Sequence, residues 1–229
     1  FGPILMHPGS TILHYGAGAF EGLKAYRKAD GTCQLFRPSE NAKRMEKSVD
    51  RLCLPHIDAA TVLEAIETFV TFEQDWVPSD PGTSLYIRPF EFGCDEPIGL
   101  HGIKKAKFMI ITCPVGNYYK EGLKPVKIAI EEHDVRAIRG GTGDCKVGGN
   151  YAASNRAEHV AEENGFTQVL WLDGVHQKYI EEVGSMNVMF KINGEIITPK
   201  LTGSVLPGIT RKSAIEFLTS KGYKVTERL

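Results

Sequence analysis

The 229-residue chain is 42% hydrophobic, enough for a buried core and for one or two domains. Its net charge of −1 gives no reason to expect a nucleic acid or a membrane surface as partner. No apolar run has the length of a transmembrane helix, and no secretory hydrophobic segment is visible. Five cysteines without a Cys-x-x-Cys pair predict free thiols in a reducing compartment, and seven scattered histidines predict no metal site. The chain begins at a phenylalanine and ends in a predicted strand, so we expect both ends to be cut.

The first half of the chain predicts one hairpin, two helices and three strands. Asp30-Gly31 marks the hairpin turn within residues 20–37. Ser39 and Asp58 are predicted N-caps, because each precedes a segment with apolar residues at helical spacing. The strands are predicted over residues 85–92, 107–113 and 125–131.

The second half predicts helices that alternate irregularly with strands. A helix is predicted over residues 152–163, and a buried strand over residues 169–172. Asn193-Gly194 predicts a type I′ hairpin turn, and Thr210 a cap for a helix over residues 211–220. This irregular mixture favours an α+β fold over a doubly wound parallel sheet. We expect a first domain over residues 1–120, a linker over 121–133 and a second domain over 134–229.

One lysine, Lys146, lies among glycines in the run Gly143-Asp144-Cys145-Lys146-Val147-Gly148-Gly149-Asn150-Tyr151. An exposed lysine, with a pKa of about 10.4, is a poor nucleophile at neutral pH. A lysine that reacts with an aldehyde needs burial and open space beside it, and glycines allow a close backbone approach. The run also resembles a P-loop, but Val147 occupies the place of the required Ser or Thr, which argues against an NTPase. A surface lysine in a flexible turn is the alternative interpretation.

Two further segments could bind parts of a phosphorylated heteroaromatic ligand. Ile209 and Thr210 follow Leu206-Pro207-Gly208 at a helix start, where free amides favour an anion, although Thr210 could simply cap its helix. Glu181 and Glu182 face opposite sides of a strand, so one of them must point toward neighbouring residues. A carboxylate directed at a heteroaromatic nitrogen would keep it protonated. Solvated glutamates are nevertheless the commoner case.

Seven motifs occur in order along the chain, and each is short. They are His14-Tyr15-Gly16 with Phe20-Glu21-Gly22-Leu23-Lys24-Ala25, Leu35-Phe36-Arg37-Pro38 with Arg44-Met45, Ser84-Leu85-Tyr86-Ile87-Arg88-Pro89, Cys113-Pro114-Val115-Gly116, Lys146-Val147-Gly148-Gly149-Asn150-Tyr151, Glu182-Val183-Gly184-Ser185-Met186-Asn187 and Leu206-Pro207-Gly208-Ile209-Thr210. Together they resemble the branched-chain amino acid aminotransferases, which are pyridoxal 5'-phosphate enzymes of fold type IV. The resemblance implies a smaller N-terminal α/β domain and a larger C-terminal pseudo-barrel domain, here truncated before a further phosphate-binding loop.

The resemblance also implies a role for each matched residue. Lys146 would bind pyridoxal phosphate covalently and act as general base and acid, Glu182 would pair with the pyridine nitrogen, and Tyr151 with the phenolic oxygen. Arg44 would grip the phosphate together with the amides of Ile209 and Thr210. The implied substrate positions are Phe20, Tyr86 and Tyr118 around the side chain, Ser185 near the cofactor ring, Arg88 at the pocket mouth, and Tyr15, Ile98 and Leu100 reaching into a dimer partner's site.

The implied activity is transamination between leucine, isoleucine or valine and 2-oxoglutarate, giving branched-chain 2-oxo acids and glutamate. We expect overlapping activity on the three amino acids, since an apolar pocket discriminates by only about 1–3 kcal/mol per methylene. The implied protein is a cytoplasmic homodimer, or a mitochondrial one in a eukaryote. A D-amino acid aminotransferase, an aminodeoxychorismate lyase and a non-catalytic protein that binds pyridoxal phosphate are the alternatives.

Overall fold

A computed structural model describes residues 2–117, 122 and 124–229. Contacts within the chain define two compact units, the first comprising residues 1–123 and 146–148 and the second residues 124–145 and 149–229. Lys146 therefore packs with the first unit, although it lies beyond the predicted linker in sequence. The predicted domain limits at 1–120, 121–133 and 134–229 stay a prediction.

The described residues of the first unit form one antiparallel sheet and three α-helices. Its elements are α1 (Thr11–Tyr15), β1 (Gly18–Phe20), β2 (Leu23–Arg27), β3 (Cys33–Leu35), α2 (Pro38–Arg51), α3 (Ala59–Phe72), a 3-10 turn (Gln74–Trp76), β4 (Ser84–Gly93) and β5 (Ala106–Val115). The long strand β4 is central, because β5 pairs with its whole length while β1 and β2 pair with it as well. The predicted hairpin is confirmed by the pairing of β2 with β3.

Only one of the two predicted N-caps in this unit is confirmed. Asp58 caps α3, where its carboxylate accepts a hydrogen bond of 2.9 Å from the amide of Thr61. Ser39 was wrongly predicted to cap α2, because that helix begins one residue earlier at Pro38 with Arg37 at the N-cap. Proline suits the first helical position, since its φ is preset and its missing N–H would be unsatisfied there anyway.

Along β4, residues 85–90 alternate between buried and partly buried side chains. Leu85 and Ile87 have no exposed surface, and neither do Val49 of α2 and Ile66 of α3 in the same unit. Tyr86 and Arg88 must then point to the opposite face, since successive strand residues alternate. The sheet thus presents two predicted site residues side by side.

The second unit contains two three-stranded sheets of mixed direction. Its elements are β6 (Ile128–Ile130), α4 (Gly148–Ala152), α5 (Asn155–Glu163), β7 (Gln168–Leu172), β8 (Ile180–Val183), β9 (Phe190–Ile192), β10 (Glu195–Pro199), α6 (Ile209–Ser220) and β11 (Val225–Arg228). In the first sheet β7 lies between β6 and β8, and in the second β10 lies between β11 and β9. The helix α5 packs on β7, where Trp171 is fully buried.

Two helices of this unit begin where the sequence did not predict. The helix predicted over residues 152–163 is interrupted near its start, because α4 ends at residue 152 and α5 begins at residue 155. Between them, the amide and the hydroxyl of Ser154 both donate hydrogen bonds to the carbonyl of Tyr151. The helix α6 begins at Ile209 rather than residue 211, and Gly208, not Thr210, is its N-cap. The type I′ turn is consistent with positive φ values at Asn193 and Gly194.

The mixed helices and sheets confirm the α+β prediction. Among the described residues, no helix combines the length and apolarity that crossing a membrane would require.

Candidate active site

Four predicted site residues of the first unit lie close to one another, namely Phe20, Tyr86, Arg88 and Lys146. The Lys146 ammonium is 4.7 Å from the centroid of the Phe20 ring, and the Arg88 guanidinium is 4.5 Å from it. Arg88 also donates to the Tyr86 hydroxyl from Nη2 at 2.6 Å and from Nε at 3.2 Å. An aromatic face attracts cations, so Phe20 stabilises both charged groups beside the sheet. The predicted grouping of the lysine with an apolar wall and a cation is thus present within this unit.

Backbone contacts fix the position of Lys146. Its carbonyl accepts a hydrogen bond of 3.0 Å from the amide of Phe20, and its own amide donates to the Ser48 hydroxyl at 3.0 Å. The next residue, Val147, forms a β-bridge with Ala19. The half-buried lysine is therefore attached both to β1 and to α2, rather than lying in a flexible surface turn.

The glycines around Lys146 differ in what they do. A Cβ on Gly143 would lie 2.2 Å from the carbonyl oxygen of Ser204, so only glycine fits there. A Cβ on Gly148 or Gly149 would meet nothing within 4 Å. Close packing therefore requires glycine at Gly143, whereas space is open at the two glycines that follow the lysine.

Arg44 is held by a buried carboxylate that the sequence did not single out. Its Nε and Nη2 lie 2.6 and 3.0 Å from the two carboxylate oxygens of Glu21, which has no exposed surface. The Arg44 side chain is only 11% exposed, so it is not the solvated flank that its helical position would allow. The predicted phosphate-binding cation thus has a defined orientation.

In the second unit, three predicted residues line one pocket. They are Tyr151, Glu182 and Ser185. The other lining residues are Arg136, Cys145, Asn150, Ser154, Glu158, Gly184 and Leu206. The phenol and the carboxylate that the resemblance assigns to opposite parts of one pyridine ring therefore share a cavity.

Glu182 is a buried carboxylate with two polar partners. Its Oε2 lies 2.6 Å from Nη2 of Arg136, and its Oε1 accepts a hydrogen bond of 2.9 Å from Nδ2 of Asn187. The side chains of Glu182 and Arg136 are only 4% and 9% exposed. A guanidinium this close favours the ionised carboxylate, which is the form that can hold a proton on a neighbouring ring nitrogen.

Its neighbour Glu181 is buried too, which the strand alternation did not predict. Burial raises the pKa of Glu181, while the Ser204 hydroxyl and the charge of Arg136 oppose that rise. The two adjacent carboxyl groups therefore lie in different electrostatic surroundings. Arg136 pairs directly with Glu182, and it also donates to the carbonyl of Ser204.

The start of α6 carries the two predicted phosphate-binding amides. Among the described residues, no side chain caps the helix, whose N-cap is Gly208. A Cβ added to Gly208 would lie 1.9 Å from Oδ1 of Asn187. Asn187, which donates to Glu182, also donates to the carbonyl of Leu206 at 2.9 Å. The same side chain therefore contacts both Glu182 and the segment that precedes α6. The amides of Ile209 and Thr210 lie in the first turn, where the helix dipole favours an anion.

The residues predicted to reach a partner subunit are exposed on the first unit. Tyr15, Ile98 and Leu100 have 41%, 75% and 90% of their surface exposed. Tyr118, predicted to contact the substrate, lies outside the described residues.

Sequence reasoning missed the residues that hold the predicted ones. Glu21 stands inside a quoted motif, next to Phe20, and that position was the available signal. Asn187 also stands inside a quoted motif, five residues from Glu182. Arg136 and Ser48 carried no signal in spacing, because their partners are distant in sequence and meet only in the fold.

Comparison with known proteins identifies the family. The model of the amino-transferase class IV family matches residues 18–229, so the chain belongs to that family. Among its relatives, branched-chain-amino-acid aminotransferase 2 of Bacillus subtilis (strain 168) is 55% identical over 226 residues, covering 99% of this chain and 62% of the relative. A probable branched-chain-amino-acid aminotransferase of Staphylococcus aureus (strain N315) is 53% identical, covering 100% and 64%. The chain thus spans slightly less than two thirds of these curated relatives.

Two solved structures agree with this assignment. The branched-chain amino acid aminotransferase of Escherichia coli has a TM-score of 0.82 at 27% identity, covering 98% of this chain and 72% of that one. A second branched-chain amino acid aminotransferase, from the organism abbreviated T.th. and solved with pyridoxamine 5'-phosphate, has a TM-score of 0.84 at 29% identity, with the same coverage. The predicted fold type and the resemblance to branched-chain aminotransferases are confirmed.

Proposed function

We propose that the protein is a pyridoxal-phosphate-dependent transaminase that exchanges amino groups between branched-chain L-amino acids and 2-oxoglutarate. One observation carries this proposal, namely the Lys146 amine held against Phe20 beside Arg88. The names of the relatives support the substrate class.

The residues present fit the cofactor. Glu182 is paired with Arg136 in the pocket that Tyr151 also lines, which suits the nitrogen and the phenolic oxygen of a substituted pyridine. In the first unit Arg44 suits a phosphate because it supplies a cation, and in the second unit the first turn of α6 suits one because it supplies amides. This set of donors and acceptors matches the phosphorylated pyridine aldehyde that the family implies.

When bound, pyridoxal phosphate supplies a cationic ring that stabilises negative charge at the α carbon of the substrate. Lys146 Nζ would hold the aldehyde end of the cofactor, and it would move the proton at the α carbon of the substrate. Its attachment to β1 and α2 keeps the amine in place for that transfer. Glu182 would hold a proton on the ring nitrogen, because Arg136 keeps the carboxylate ionised.

Two kinds of substrate side chain require two kinds of surface. The Phe20 and Tyr86 rings would contact an aliphatic chain and exclude water from it. Arg88, which contacts both rings, would receive the second carboxylate of glutamate or 2-oxoglutarate. Adjacent apolar and cationic groups thus account for an enzyme that accepts both substrates in turn.

A homodimer and a cytoplasmic location belong to the same proposal. The exposure of Ile98 and Leu100 supports a partner that covers them, since large apolar side chains this exposed are common at interfaces. The five free cysteines are consistent with a reducing compartment.

Single-turnover conversion of the bound aldehyde to pyridoxamine phosphate tests the proposal. The purified protein loaded with cofactor should convert with L-leucine and revert with 2-oxoglutarate, and the Lys146→Ala variant should do neither. Lys127→Ala, which removes an exposed lysine, is the control and should convert like the natural protein. Conversion by D-leucine alone would indicate a D-amino acid aminotransferase, and bound cofactor without conversion would indicate a non-catalytic protein.

A further inference from the structure

Among the described residues of the first unit, Glu21 is the most completely buried acid. Its residue has no exposed surface, and its carboxylate receives four hydrogen bonds from the described residues. Arg44 donates two, from Nε at 2.6 Å and from Nη2 at 3.0 Å. Asn41 Nδ2 donates at 2.8 Å and the amide of Gly22 at 3.1 Å.

This arrangement needs an explanation beyond stability. A buried ion pair contributes little net stability, because removing both charges from water costs about as much as their attraction returns. Such a pair does fix geometry, and here one edge of the Arg44 guanidinium is held by two parallel hydrogen bonds. Because the arginine side chain otherwise has many rotamers, the pair sets the plane of the guanidinium group.

The same helix also positions Lys146. Asn41, Arg44 and Ser48 are spaced three and four residues apart on α2, so they lie along one face. Ser48 donates to the carbonyl of Arg44 at 2.9 Å and accepts the amide of Lys146 at 3.0 Å. One line of polar residues thus connects the support of Arg44 with the backbone of the lysine.

We propose that Glu21, steadied by Asn41, is a positioning residue that orients Arg44 toward the cofactor phosphate. This inference rests on the proposed function, in which Arg44 grips that phosphate. Glu21 has two opposing effects on an anion. Its charge repels the phosphate, whereas its hydrogen bonds hold the guanidinium ready for it. We infer that the second effect prevails, because four hydrogen bonds restrain the carboxylate and two of them come from Arg44.

Comparing pyridoxal phosphate with pyridoxal isolates the phosphate, because pyridoxal has the same ring and aldehyde without that group. Dissociation constants for both would be measured on the natural protein, Glu21→Gln, Asn41→Ala and Arg44→Ala. Glu91→Gln is the matched control, since Glu91 is another buried carboxylate of the same unit. Glu21→Gln should weaken the binding of pyridoxal phosphate about tenfold or more and the binding of pyridoxal by less than about twofold. The measured quantity is the dissociation constant of pyridoxal phosphate divided by that of pyridoxal. Asn41→Ala should raise this ratio about threefold, and Glu91→Gln should leave it unchanged.

Three outcomes would overturn the inference. Equal weakening of both ligands in Glu21→Gln would show a merely structural role, and tighter pyridoxal phosphate binding would show that repulsion prevails. If Glu21→Gln does not fold, an unchanged ratio in Asn41→Ala overturns the inference instead. An unchanged ratio in Arg44→Ala is a different failure, because it removes Arg44 from the phosphate site and contradicts that part of the proposed function.

Discussion

Replacing Arg136 by methionine should lower the free energy of unfolding of the second unit by about 3 kcal/mol. The pair that it forms with Glu182 is 2.6 Å long, and both side chains are at least nine-tenths buried. Removing one member of such a pair leaves a buried charge without this counter-ion, which typically costs about 3–5 kcal/mol. Adding Glu182→Gln removes the second charge, so the double variant should recover most of the loss.

Urea unfolding followed by tryptophan fluorescence measures this change. The chain has two tryptophans, of which Trp171 is fully buried and pairs in register with Glu182 across β7 and β8. A Trp76→Phe background leaves Trp171 as the only reporter. The control is Arg156→Met, because the Arg156 side chain in its pair with Asp134 is 75% exposed and such pairs contribute under about 1 kcal/mol. Equal small losses in both variants, or no coupling in the double variant, would refute the reasoning.

Two further predictions concern the stability of each unit. Burial raises the pKa of Glu91 to about 7 against the opposing charge of His56, so the folded state holds a proton that the unfolded state releases near pH 4.5. The free energy of unfolding should therefore fall by about 1.4 kcal/mol per pH unit from about pH 4.5 to about pH 7, and Glu91→Gln should abolish that slope in pH-dependent urea titrations. Gly143→Ala should cost about 2 kcal/mol or more in thermal or urea unfolding, because its Cβ would lie 2.2 Å from the Ser204 carbonyl oxygen.

A specific outcome would contradict each of these two predictions. A natural protein whose stability is flat between pH 5 and pH 7 would show that Glu91 is ionised when folded. Gly148→Ala is the control for Gly143→Ala, since a Cβ at Gly148 meets nothing within 4 Å. If the two alanine variants unfold alike, close packing at Gly143 is not what requires glycine.

Local signals were the part of the fold that the sequence could predict. The Asp58 cap and the Asn193-Gly194 turn depend on side chains and dihedral angles within four residues, and both agree with the structure. Ser39 and Thr210 were wrongly predicted as N-caps, because Arg37 and Gly208 occupy those positions. Pro38 is the first residue of α2, and Gly208 is the N-cap of α6, where Asn187 leaves no room for a side chain.

The candidate site divides in the same way. Lys146, Glu182 and Arg44 could be selected from motifs, since each motif is a short run of letters. Their ion pairs could not be predicted, because Arg136 meets Glu182, and Glu21 meets Arg44, only when distant segments pack together. Strand alternation gave the opposite faces of Glu181 and Glu182 but not the burial of both, which depends on what covers each face.

The covalent attachment of the cofactor at Lys146 is the claim on which the proposed mechanism depends. Borohydride reduction of the protein loaded with pyridoxal phosphate, followed by peptide mapping, measures it directly. We predict the reduced label on the ε-nitrogen of Lys146. A label on another lysine, or no label on folded protein saturated with cofactor, would contradict the account.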